Sequence, residues 1–106
     1  MLQTKAVLNE LTLESFQPHI GSSFWAVFPN GAKVELQLVN AEKRMVSEAA
    51  RLNRTAFSLF FAGPRSYFLE QGTYSIEHVL FAEPQQIFLV PVAQDAQTYQ
   101  YEAVFT

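Results

Sequence analysis

At 106 residues, 49% of them hydrophobic, the chain has the size and composition of one globular domain, 1–106, and not of a disordered tail. Ten acidic against seven basic residues leave a net charge near −3, which argues against a nucleic-acid partner, whose phosphates call for a clustered positive surface. The absence of cysteine excludes disulfides, thiol catalysis and thiolate metal sites, and a domain of this length, burying about 65% of its unfolded surface, can fold without them.

The opening M-L-Q-T-K-A-V-L-N-E-L carries a single lysine, Lys5, and too short an apolar run for a secretory leader. No segment approaches the roughly 20 apolar residues of a membrane span. A soluble, cytoplasmic protein with no membrane partner is the expectation. Leu11 to Phe16 reads as a one-turn helix capped by Thr12 and stopped before Pro18, with Gly21 opening the first long strand. Such a segment would plug one end of a sandwich or barrel.

From Ser23 onward short runs of Phe, Tyr, Val, Ile and Thr alternate with turn signals, the pattern of a small antiparallel β protein. The clearest is S-F-W-A-V-F-P-N-G-A-K-V-E-L-Q-L-V, a hairpin about Pro29-Asn30-Gly31. A two-residue Asn30-Gly31 loop would pair Phe28 with Lys33. A three-residue loop, with Pro29 and Asn30 central in a type I turn and Gly31 left-handed, pairs Phe28 with Ala32 and Phe24 with Leu36. The second is preferred, because it buries Phe24, Ala26 and Phe28 beside Val34, Leu36 and Leu38 while Lys33, Glu35 and Gln37 point outward.

Between Ala41 and Arg54 the alternation stops, and S-E-A-A-R-L-N predicts a short helix near 47–53. Its cluster of Lys43, Arg44, Arg51 and Arg54 is interrupted by Glu42 and Glu48, as on a solvated helix face. T-A-F-S-L-F-F-A is apolar on both faces and so covered on both sides or central. T-Y-S-I-E-H-V follows, then Q-Q-I-F-L-V-P-V, where Pro91 marks an edge or a bulge, and finally T-Y-Q-Y-E-A-V-F-T. The four glycines, at 21, 31, 63 and 72, read as turn punctuation, Gly72 as left-handed like Gly31. The fold class predicted is all-β, an antiparallel sandwich or partly open barrel of about six strands, with helical segments at the N-terminus and near 47–53.

Glu77 and His78 set a carboxylate beside an imidazole, but neighbours in a strand face opposite ways, so the two cannot act on one substrate atom. His78 shares its parity with Tyr74 and Ile76 and is expected to be a half-buried, hydrogen-bonded strand histidine, with Glu77 toward solvent. Two histidines, His19 and His78, and one aspartate, Asp95, show no metal-ligand spacing. There is no G-x-S-x-G, no G-x-G-x-x-G and no phosphate loop. An enzyme would need His19, His78 and a carboxylate to converge in a cleft. No catalytic residue, cofactor or metal is assigned. The binding candidates are Trp25, which the hairpin turns away from the core and the N-terminal segment would cover, Arg65 and Tyr67 in the loop after Gly63-Pro64, and His78.

The strings F-S-L-F-F-A-G-P (57–64), L-E-Q-G-T-Y-S-I-E-H (69–78), F-L-V-P-V (88–92) and Y-E-A-V-F (101–105), preceded by L-T-L-E-S-F-Q-P-H-I-G-S-S-F (11–24), resemble a family of small bacterial proteins of unknown function. Members of that family are sometimes found near genes for phage-tail-like proteins. The sequence departs from the family pattern at V-L-F-A-E-P and in a longer segment from Met45 to Asn53. The resemblance implies no activity and hints at assembly. The function expected is therefore a non-enzymatic structural or protein-interaction module whose target is an unknown protein partner or a second copy. The alternative is a small-ligand domain using a barrel mouth near His78 and Tyr74.

Overall fold

The computed structural model describes residues 11–44 and 56–105. Six strands run in chain order: β1 (Ser23–Val27), β2 (Lys33–Lys43), β3 (Phe57–Pro64), β4 (Gly72–Glu77), β5 (Gln85–Gln94) and β6 (Thr98–Phe105). They close into an antiparallel barrel in the order β1-β2-β3-β6-β5-β4, with β1 returning to β4. The fold is thus two three-stranded meanders joined along two seams, β3–β6 and β1–β4. Closure leaves no edge among the described strands, which settles the choice between sandwich and partly open barrel in favour of a closed barrel. The helix expected near 47–53 lies outside the described residues, as do Glu48, Arg51 and Arg54 of the basic cluster. Arg44 of that cluster binds the β3 and β6 side chains Ser58 (3.0 Å) and Glu102 (3.1 Å).

The hairpin takes the three-residue register. Phe24 pairs with Leu36 and Val27 with Lys33, the Phe28 N–H donates to the Ala32 carbonyl at 2.9 Å, and Gly31 sits at φ 89°. Phe24, Ala26, Val34, Leu36 and Leu38 are accordingly buried. Two register shifts, at Leu38/Asn40 and Pro91/Ala93, bend the long strands β2 and β5 around the barrel, and the second is the irregularity that Pro91 predicted.

Two glycines differ from their sequence reading. Gly72 is the first residue of β4, paired with Leu89, and does not have a positive φ; the left-handed glycines are Gly21 and Gly31. Gly63 is no turn residue either. It lies inside β3, opposite Tyr99, where a Cβ would stand 3.0 Å from Leu36 Cδ2 and 3.1 Å from Tyr101 Cε2, so a larger residue would press on two buried side chains.

Both ends of the barrel are stoppered. At one end α1 (Leu13–Phe16) continues into a 3₁₀ turn, Gln17–His19. The α-helix stops at Phe16, before Pro18 as expected, and the 3₁₀ turn accommodates Pro18 because its missing N–H falls in the first turn, where no helical partner is needed. Phe16, fully buried, meets the rings of Phe24, Phe57, Phe81 and Phe105 at 5.9–6.4 Å. The N-terminal plug expected from the sequence is present. At the other end the 65–71 loop inserts Leu69, whose N–H donates to the Tyr101 hydroxyl at 2.9 Å. Leu36, Leu38, Leu59, Phe61, Ile87, Leu89 and Ala103 fill the space between.

Candidate functional site

The second seam, where β1 meets β4, builds the site. Antiparallel pairing sets Trp25 opposite Glu77, and the hairpin sets the same Trp25 opposite Glu35, so the outward indole is flanked on both sides by carboxylates. The 78–84 loop then turns back beside the seam, with the Phe81 N–H donating to the His78 carbonyl at 3.0 Å. Between loop and wall lies a groove of about 330 Å³, lined by Trp25, Glu77, His78, Phe81, Glu83 and Pro84 among others.

His78 follows directly on β4. Its ring stacks on Phe24 at 3.8 Å and stands edge-on to His19 at 4.9 Å. The Leu80 N–H donates to Nδ1 at 3.0 Å, which places the proton on Nε2; that N–H donates to Ser22 Oγ at 2.9 Å, and the Ser22 hydroxyl donates to the His19 carbonyl at 2.8 Å. Burial, reinforced by His19, pushes the His78 pKa down to about 4. At neutral pH the ring is uncharged.

The structure brings the two histidines together, the first half of what an enzyme would need. It does not bring Glu77 with them. Glu77 points to the outer wall as strand alternation requires, and its carboxylate takes the Lys33 ammonium at 3.0 Å, reaching across β1. Among the described residues no group of three or more histidines, aspartates or glutamates is placed to hold a metal.

The binding candidates divide between the two ends. Trp25 and His78 share the groove. Trp25 is not covered by the N-terminal plug; α1 turns into the barrel, and the indole stays 38% exposed on the outside. Tyr67 lies at the Leu69 end, against Phe28 at 5.9 Å, where Tyr74 also packs and donates its hydroxyl to the Glu70 carbonyl at 2.6 Å. Burial raises the Tyr74 pKa, with Glu70 adding to it. Arg65 lies over the Tyr99 ring at 4.8 Å and donates to the Asp95 carbonyl. Tyr74 and His78 thus belong to different clusters and form no common mouth.

Sequence reasoning missed Glu35, Glu83, Ser22 and Phe81. Glu35 was within reach, since the Phe24–Leu36 register places it beside Trp25. The others depend on the β1–β4 closure: F-A-E-P reads as a turn in the sequence, but no local signal says that it folds back beside β1.

The comparison with protein families adds one finding. A family model described as a domain of unknown function matches residues 11–105, from the N-terminal plug to the end of β6. The chain belongs to that family, DUF6916. The match takes in every described element of the barrel and both walls of the groove. No curated protein and no solved structure matches the chain. Among the described residues of this DUF6916 chain, no helix is long and apolar enough to cross a membrane.

Proposed function

We propose that this DUF6916 chain is a non-enzymatic structural or protein-interaction module that works through the outer wall of its barrel. The observation that carries the reading is where apolar surface is left over. Side chains fill the interior and stopper both ends, while Phe88 (50% exposed) and Val104 (47%) project outward from β5 and β6, two residues beyond the Val90–Glu102 pair. Val92 is exposed further along β5, and Trp25 and Val79 stand beside the groove. Large apolar groups set close together on the outside of a small domain that has already filled its core support contact with another protein.

Nucleic acid and membrane have no part in this reading, and the net charge of −3 agrees with the first. The location proposed is the cytoplasm. The finer proposal, a partner within a phage-tail-like assembly, is supported by sequence resemblance and is tested by the gene neighbourhood. Light scattering after size exclusion at several concentrations, together with cross-linking in the native host, tests the main reading. Self-association or a cross-linked partner is expected, abolished by Phe88→Glu with Val104→Glu. A strict monomer without partners would count against it.

A further inference from the structure

We propose that the groove beside Trp25 receives an arginine side chain from a partner polypeptide. The inference rests on the interaction-module reading and names the chemistry of its contact. Trp25 is 38% exposed beside the groove, and its two cross-strand neighbours, Glu35 and Glu77, both carry carboxylates. Glu83, in the 78–84 loop, is a third acidic residue lining the groove. Among the described residues one cation stands against these three, Lys33, bound to Glu77 at 3.0 Å, while Glu35 accepts the Ser23 hydroxyl. Among the described residues these three acidic groups and one ammonium give the surroundings of the indole a net charge of −2.

His78, which also lines the groove, adds no opposing charge at neutral pH, because its ring is held in the neutral tautomer by the Leu80 N–H and Ser22. Phe81 and Pro84 give the groove apolar walls along which an aliphatic stem can lie. A planar guanidinium fits this combination best, since it stacks on an indole face and offers a carboxylate two parallel N–H groups, whereas an ammonium does only the first as a point charge. A groove of about 330 Å³ is large enough for one such side chain and too small for a folded element.

The chain has a single tryptophan, so its emission reports this site alone. Titration with the peptide acetyl-Gly-Arg-Gly-amide should shift Trp25 emission saturably, and the neutral citrulline peptide of the same shape should bind about tenfold more weakly or not at all. Glu83→Gln should weaken the arginine peptide severalfold, and raising sodium chloride from about 50 to about 500 mM should do the same. Trp25→Leu, followed by calorimetry and checked for folding by circular dichroism, should lower affinity about tenfold. Equal binding of the arginine and citrulline peptides overturns the proposal, as does indifference to Glu83→Gln. A Trp25 shift on raising protein concentration alone assigns the groove to a second copy and overturns it too. Silence of Trp25 in protein that still cross-links to a partner sinks the groove assignment alone; a protein that binds the arginine peptide yet stays monomeric and partnerless sinks the wider reading instead.

Discussion

His78 illustrates how one side chain can hold a segment in place by staying neutral. Stacked on Phe24 and bonded at both nitrogens, it ties the 78–84 loop to the turn before β1. Its folded pKa of about 4 lies below the ordinary 6.5, so the unfolded chain takes up a proton that the folded chain refuses. The contribution to stability is complete above about pH 6.5 and is lost as pH falls toward about 4. Allowing for the solvent that still reaches the ring, the loss is on the order of 1–2 kcal/mol. Urea unfolding at a series of pH values should record that fall, and His78→Asn should flatten it. Gly63 makes a different point, since a methyl group there meets Leu36 and Tyr101 at 3.0 and 3.1 Å. Gly63→Ala should cost about 1–3 kcal/mol by denaturant titration, where a solvated turn glycine of ordinary φ would cost almost nothing.

The elements at the two ends of the barrel are small but carry much of the closure. Phe16 is the fully buried ring of a four-residue helix and touches four other phenylalanines. Phe16→Ala should destabilise by about 3–5 kcal/mol in thermal or denaturant unfolding. At the far end Tyr101→Phe would strand the Leu69 N–H, a buried donor, and should cost about 1–3 kcal/mol. These elements also mark what could be read beforehand. The β1–β2 hairpin was legible to the residue, because Pro29, Asn30 and Gly31 fix the turn and the alternation fixes the face. The plug was legible because a capped turn before Gly21 had no place in a strand. The contact of His19 with His78, and of Trp25 with Glu77, was not. Both depend on residues more than fifty positions apart meeting across the β1–β4 seam, and period-2 alternation says which face a residue takes without saying which strand lies beside it.

At the scale of the whole molecule the six pairings are unequal. The β3–β6 seam runs from Phe57–Phe105 to Pro64–Thr98, whereas β1 and β4 share three pairs, Trp25–Glu77, Ala26–Ile76 and Val27–Ser75. Amide hydrogen exchange should therefore be fastest, among the strands, along β1 and β4, and slowest in β3 and β6. Uniform protection around the ring would contradict this.

The Lys33–Glu77 ion pair lies across that thin seam, joining β2 to β4 over the back of β1. It works as a clasp whose strength depends on ionic strength, although an exposed pair of this kind contributes only about 0–1 kcal/mol. Whatever settles on Trp25 between Glu35 and Glu77 bridges the same three strands, so occupancy of the groove would slow the opening of the ring without touching its core. A partner bound there would be felt as a change in how often the barrel breathes.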